Sequence, residues 1–388
     1  MKDQRLAVLG DPPRFAERIP VTRPSMSADD LLVKEITRIL DSGMLTAGPT
    51  VRAFEEAVGE TLGVEHVVAV NSCTIGLMLT LQALAAEGEV VLPGFTFMAS
   101  GHAVLWSRLT PVFADCTPDT YTIDPESVAA RTTSRTAVVM GVHTFGVPCP
   151  ADALAPGDIP VVLDAAHGFG ARYPDGSMVG VKGIAEVFSL SPTKTLTTGE
   201  GGLITTRSGD LARHLRIARE YGNPGDYDAR FAGLNGRLTE INAAIGLAAL
   251  RNLPDHLRRR TAIAQTYRRH LDGIPGLAFQ AIPPGATSVF KDFTIGVDPA
   301  VFGLTSRQLG DALRREGVDT RHYFDPPLHR QTAYRKFAAD GIGLPVADRL
   351  SRTLLTLPLY AGLALGTVRE ICGVIGDLHE AREQVAAP

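Results

Sequence analysis

The sequence predicts an α/β protein: one large, mostly parallel sheet with helices on both faces, followed by a smaller α+β region. Three observations predict it. Seven short apolar, β-branched runs recur between His66 and Thr206. Segments with helical periodicity separate the early runs, as crossover connections between parallel strands require. After Thr206 the pattern changes to long helices with a few scattered strands.

Residues 1 to about 24 are rich in Pro and Arg and read as an irregular surface segment. Asp29–Leu40 is helical, stopped by Ser42-Gly43, and a turn at Ala47-Gly48-Pro49 precedes a second helix, Val51–Leu62. Strand-like runs follow at His66–Val70, Glu89–Leu92, Thr110–Ala114, Ala137–Val142, Val161–Leu163, Val187–Leu190 and Leu203–Thr206. Helices are expected at Ile75–Ala85, Phe97–Ser107 and Pro125–Ala130. The last three runs have less helix between them, so part of the sheet is expected to be antiparallel. Beyond them lie a helix at Asp210–Tyr221, a loop at Gly222–Asn235 and an apolar helix at Leu238–Leu253 that Pro254 should end. A charged helix from Asp255 to Leu271, strands at Val289–Val297 and Val318–Tyr323, and helices at Ser306–Glu316 and Gly366–Ala386 complete the chain. The expected organisation is an extension (1–24), a large domain (25–254) and a small domain (255–388).

The 388 residues suggest two or three domains at about 150 residues each. Hydrophobic content of 45% and charged content of 21% fit an ordinary globular chain with a sizeable core. A net charge of -4 gives no sign of a nucleic-acid surface. Basic residues cluster between Arg251 and Arg269, but at the spacing of a solvated helix face. Cys73, Cys116, Cys149 and Cys372 are far apart, without the pairing of a zinc site or disulfide framework. The N-terminus lacks an apolar signal segment, and no apolar run reaches the ~20 residues a membrane helix needs. A cytoplasmic location is the expectation.

Chemistry concentrates between Val161 and Thr206. An apolar strand delivers Asp164 at its end, a second delivers Ser189, and Lys194 follows within a small-residue turn ahead of Gly199-Glu200-Gly201-Gly202. The carboxyl ends of parallel strands are where open α/β sheets bind ligands. Lys194 alone reads as a solvated loop lysine, and Asp164 alone serves equally as an N-cap. Together they change the reading. A buried carboxylate needs a cationic or donor partner, and a pyridinium nitrogen opposite a nucleophilic lysine is the recurrent arrangement of pyridoxal 5'-phosphate (PLP) enzymes. Asn71-Ser72-Cys73-Thr74 lies between a strand and a helix start, where free backbone amides can receive a phosphate or simply be capped. Phe97 stands at the same sheet edge, where it can cover a flat ring or fill the core. Dinucleotide, P-loop, zinc-protease and serine-hydrolase signatures are absent.

SGMLTAGPTVRAFE, VNSCTIGLMLTLQAL, LPGFTFMAS, LDAAHGFGARY, FSLSPTKTLTTGEGG, GLNGRLTEINAAIGLAAL, HYFDPPLH and LPLY, in this order, resemble the DegT/StrS family of sugar aminotransferases over about Pro24 to Leu363. The resemblance implies PLP-dependent transferase fold type I and a homodimer with shared sites. It implies that Lys194 joins the cofactor and moves protons, that Asp164 pairs with the ring nitrogen, and that His167 stands beside the ring hydroxyl. Ser189 and the Cys73–Thr74 turn would hold the phosphate and Phe97 would stack on the ring. Asn235 would reach the phosphate in the partner's site. Thr46, Glu200, Arg237, His322 and Tyr323 sit where members contact substrate. His167 by itself reads equally as a core histidine, and Asn235 as a loop residue.

Three departures concern substrate: Met44 stands where many members have an aromatic, Cys73 replaces the usual glycine, and VHTFGVPCPAD (Val142–Asp152) is a variant of a family motif whose common form marks a different subgroup. Lys194 sets the chain apart from the family's dehydratase branch, which has His there. The implied reaction moves an amino group from glutamate or glutamine to the keto group of a nucleotide-linked keto-deoxy sugar, as in amino-sugar pathways for antibiotics or surface glycans. A keto-inositol acceptor, as in aminocyclitol pathways, is the alternative within the class. A PLP-binding regulatory protein is the alternative outside it.

Overall fold

The structure is a computed structural model that describes residues 6–26, 29–85, 87–155, 157–338 and 343–386. Its centre is a seven-stranded sheet made of β1 (His66–Val70), β2 (Glu89–Pro93), β3 (Thr110–Ala114), β4 (Thr136–Val142), β5 (Val161–Asp164), β6 (Ala185–Ser189) and β7 (Gly202–Thr206). Their spatial order is β1-β7-β6-β5-β4-β2-β3. β6, β5, β4, β2 and β3 pair in parallel, whereas β7 runs antiparallel to both β6 and β1. The antiparallel part expected from the scarcity of helix after Val161 is therefore this one strand.

Side chains alternate between the two faces of every strand, and both faces are covered. Val68 and Val70 enter one core together with α3 (Cys73–Leu84), α4 (Met98–Trp106) and α6 (Gly209–Ala218). Val67 and Ala69 enter the opposite core, which includes α2 (Pro49–Leu62), α5 (Pro125–Arg131) and α7 (Glu240–Leu271). α1 (Asp30–Ser42) lies outside α7, with Leu32 and Ile39 against Ala244 and Ala248. The N-caps follow the expected chemistry: Asp29, Ser72, Asp124, Ser208 and Thr239 each accept a first-turn amide.

Three sequence expectations need correction. Pro254 does not end a helix; α7 passes through it over 32 residues. A proline inside a helix costs about 3 kcal/mol or more through its lost N–H and the ring clash. Packing at both ends of α7 outweighs that cost, since Ala243 and Leu253 are buried near the sheet and Ile263, Tyr267 and Leu271 in the C-terminal core. The boundary placed at Pro254 thus falls within a continuous helix that serves both cores. Second, Val318–Tyr323 is not a strand. It makes bridges only at Val318 with Ile19 and at Arg321 with Thr356, because the chain then turns inward to bring Tyr323 and Phe324 to a cavity wall. The small sheet is instead β8 (Leu277–Phe279), β9 (Phe293–Val297) and β10 (Leu354–Leu357), in the order β10-β9-β8. Third, the final helix is broken at Ala381 into Leu365–Glu380 and Arg382–Ala386.

Candidate active site

The parallel strands and the start of β7 meet at one edge. β5 ends at Asp164, β6 at Ser189, and Gly202 of β7 pairs with both Ser189 and Val70. Gly202 is required there by space. A Cβ on it would stand 2.6 Å from the Cys73 nitrogen and 2.8 Å from the Ser72 oxygen. This close approach sets the first turn of α3 beside Ser189. A cavity of about 340 Å³ opens at this edge, and its wall includes Ser72, Thr74, Phe97, Asp164, His167 and Lys194.

Asp164 is 4% exposed, yet its partners are neutral. Oδ2 accepts from Ser100 Oγ at 2.7 Å, and Oδ1 accepts from the Ala166 amide at 3.1 Å. Ser100 is itself hydrogen-bonded to Thr96 at 2.9 Å. Among the described residues, no ion pair neutralises this carboxylate. The Cys73 thiol lies 3.9 Å from Oδ1, and burial, then the Asp164 charge, pushes its pKa well up.

Lys194 sits in a turn tied by its own amide to the Ser191 carbonyl at 3.0 Å. Thr195 Oγ1 anchors the same turn to the Phe169 carbonyl at 3.1 Å. Burial, reinforced by the ammonium of Lys291, lowers the Lys194 pKa to about 8, against the opposing pull of Asp292, Cys73 and Asp164. His167 stacks on Phe145 with ring centroids 6.3 Å apart. Its Nδ1 accepts from the Phe145 amide at 3.2 Å, which leaves the proton on Nε2. Burial and the nearby Lys194 and Lys291 charges hold its pKa well below the ordinary value, so the ring is neutral.

The cavity also collects Cys73, Ser189, Glu200 and Tyr323. Four other expected residues lie elsewhere. Asn235 is exposed on a loop next to the end of β1, its carbonyl accepting from Asn71 Nδ2 at 2.9 Å. Arg237 pairs with Glu220 at 3.0 Å and covers the Tyr221 ring. Thr46 is an exposed residue bridged to Thr239. His322 Nδ1 meets the Leu354 carbonyl at 3.3 Å, and its ring approaches the helix Ser306–Arg315 instead of the cavity. Sequence reasoning missed Ser100, which supports Asp164, and the adjacent pair Lys291-Asp292 in the cavity wall. A signal for the pair does exist: two opposite charges interrupt the apolar run Ser288–Val297.

This cavity suits PLP on three structural grounds. It has a buried acid with neutral partners only, a lysine that burial makes easier to deprotonate, and a helix start whose Cys73 and Thr74 amides have no intrahelical acceptor. Such a combination defines a PLP-dependent enzyme. The chain belongs to the DegT/DnrJ/EryC1/StrS aminotransferase family, which it matches over residues 27–376, and it is accordingly a PLP-dependent aminotransferase. It is 32% identical over 353 residues to a dTDP-4-amino-4,6-dideoxy-D-glucose transaminase of Escherichia coli, covering 89% of this chain and 94% of the relative. It is 31% identical over 380 residues to the spore coat polysaccharide biosynthesis protein SpsC of Bacillus subtilis (strain 168), covering 93% and 97%. The structure of DesI in the presence of its TDP-sugar product superposes with a TM-score of 0.93 at 35% identity, covering 99% of this chain and 98% of that one. The enzyme class leaves the purely regulatory reading without support. Among the described residues, no helix is long and apolar enough to cross a membrane.

Proposed function

We propose that the protein transfers an amino group from glutamate or glutamine to the keto group of a nucleotide-linked keto-deoxy sugar, as a homodimer. The similarity to DesI, solved with a TDP-sugar product and matching over nearly the whole of both chains, is the observation that carries this reading. The relation to a transaminase named for a dTDP-linked dideoxy sugar supports it independently.

Bound in the cavity, PLP supplies a carrier for the amino group and an electron sink for the carbon that loses or gains it. Asp164 would hold the proton on the ring nitrogen, and the Ser100 hydroxyl and Ala166 amide fix the position of its carboxylate. Lys194 Nζ moves the proton at the reacting carbon, a task for a base whose pKa lies near the working pH. His167 presents its Nε2–H to the ring oxygen, since Nδ1 is occupied by the Phe145 amide. The Cys73 and Thr74 amides and the Ser189 hydroxyl receive the phosphate, and Phe97 covers one ring face. Asn235, exposed beside the end of β1, and the half-buried Arg237 would serve the partner's cavity. Across both halves of the reaction the donor leaves as its 2-oxo acid and the acceptor carbonyl becomes an amine, so atoms and charges balance.

The test is amino transfer from the glutamate-loaded enzyme, freed of excess donor, to a dTDP-linked 4-keto-6-deoxy sugar and to scyllo-inosose. Turnover with the nucleotide sugar is expected. Turnover with the inosose alone would replace the sugar substrate by a cyclitol, and turnover with neither would defeat the reading.

A further inference from the structure

Lys291 and Asp292 take no part in the account so far, although both line the cavity. They are 5% and 6% exposed, and Lys291 Nζ lies 2.9 Å from each oxygen of the Asp292 carboxylate. Their segment is held rigidly from behind. The guanidinium of Arg260, itself buried, donates to the carbonyls of Val289 at 3.3 Å, Phe290 at 2.7 Å and Lys291 at 2.6 Å. A buried ion pair is seldom more stabilising than apolar residues of equal volume. Packing alone therefore does not account for this one.

The two residues share the cavity wall with Lys194, so they line the pocket that holds the reacting nitrogen. An aminotransferase passes two unlike molecules through that place. The amino donor carries a carboxylate one bond from the carbon whose C–N bond breaks. The reacting carbon of a keto sugar belongs to an uncharged ring that carries hydroxyls. The donor therefore needs a cation, and the acceptor needs that cation compensated. Among the described residues of the wall, the lysines and arginines are Lys194 and Lys291 only, and His167 is held neutral. Lys194 is committed to proton movement. Lys291 remains, with three N–H donors of which two meet Asp292.

We propose that Lys291 receives the α-carboxylate of the amino donor, and that Asp292 compensates its charge when the uncharged ring of the acceptor takes the same place. With donor bound, the free N–H of Lys291 makes a charge-assisted hydrogen bond to the carboxylate. With acceptor bound, Asp292 keeps the ammonium paired and offers its remaining lone pairs to ring hydroxyls. The pair is thus a specificity element for both halves of one reaction. The inference rests on the aminotransferase reading above.

The experiment measures the two half-reactions separately, by single-turnover absorbance of the holoenzyme, together with equilibrium binding of 2-oxoglutarate to the PLP form, where it cannot react. Three variants are compared: Lys291→Met, Lys291→Arg, and the double variant Lys291→Met with Asp292→Asn, which leaves no unpaired buried charge. In Lys291→Met and in the double variant the donor half-reaction should slow about 100-fold or more, as loss of one partner of a buried charge contact does. The acceptor half-reaction of the double variant should change less than about 5-fold by comparison. 2-Oxoglutarate binding should be lost in both and largely kept in Lys291→Arg. Equal slowing of both halves would overturn the proposal, because that is the signature of an effect on Lys194 or on folding. Unchanged 2-oxoglutarate affinity in the double variant would overturn it too. Absence of any donor half-reaction in the unaltered enzyme would count against the aminotransfer reading itself, a result distinguishable from both.

Discussion

Glu240, the first residue of α7, is 1% exposed and spends its carboxylate on a neighbouring helix. Oε1 accepts from the amides of Gly48 at 3.0 Å and Val51 at 2.9 Å, and Oε2 accepts from Thr50 at 2.9 Å. These amides belong to the start of α2, where no intrahelical acceptor exists and a negative charge is favoured by the helix dipole. The same contact fixes the turn that carries Thr46. Glu240→Ala strands three buried donors, each at roughly 1–3 kcal/mol. Allowing for partial relaxation, the expected loss is about 3–6 kcal/mol, a large share of a stability of order 5–15 kcal/mol. In Glu240→Gln the amide oxygen can replace Oε1 for Gly48 and Val51, but the amide nitrogen then faces the Thr50 N–H. One bond is lost, at about 1–3 kcal/mol. Urea unfolding at equal cofactor saturation reads both, as a lower midpoint at unchanged slope. An alanine variant within about 1 kcal/mol of the unaltered protein, or a glutamine variant as damaged as the alanine one, would refute the assignment of three bonds.

Two further predictions concern the cofactor end of the cavity. Gly202→Ala places a methyl 2.6 Å from the Cys73 nitrogen, so the first turn of α3 must withdraw from Ser189. PLP affinity, measured by equilibrium dialysis, should fall about tenfold or more, and unchanged affinity would show that the turn does not hold the phosphate. For Lys194, burial disfavours the ammonium, so the neutral amine appears below its usual pH range. The rate of PLP uptake by the cofactor-free protein should rise through a midpoint near pH 8, and a midpoint close to the ordinary lysine value of 10.5 would contradict the buried amine.

How much the sequence disclosed follows from what each feature depends on. Strands β1 to β7 were legible because burial on both faces demands unbroken apolar runs, and a run such as Val161–Leu163 leaves little else to be. Asp164 and Ser189 were legible because a polar residue ending such a run stands out. Lys194 gained meaning only beside Asp164. The path of α7 through Pro254 was not legible, since the local cost of proline is written in the sequence while the packing that overrides it comes from α1, α2 and the C-terminal core. Val318–Tyr323 has β-branched and aromatic residues but no neighbour to pair with along its length, and pairing is a tertiary fact. Lys291-Asp292 escaped notice because two adjacent opposite charges usually mark a solvated loop. Only the fold shows that Arg260 pins the backbone leading into them and that they share a cavity wall with Lys194. Asn235, exposed on its loop, and Arg237, paired with Glu220, carry no pattern in the sequence that places them away from the cavity.

The central claim is that Lys194, opposite Asp164, is the residue that holds the cofactor. The wall contains two lysines, Lys194 and Lys291, so the claim is open to direct contradiction. Borohydride trapping of the holoenzyme followed by peptide mass spectrometry should find the mass of the reduced cofactor on the peptide bearing Lys194. Finding it on the peptide bearing Lys291, or on no lysine, would contradict the account.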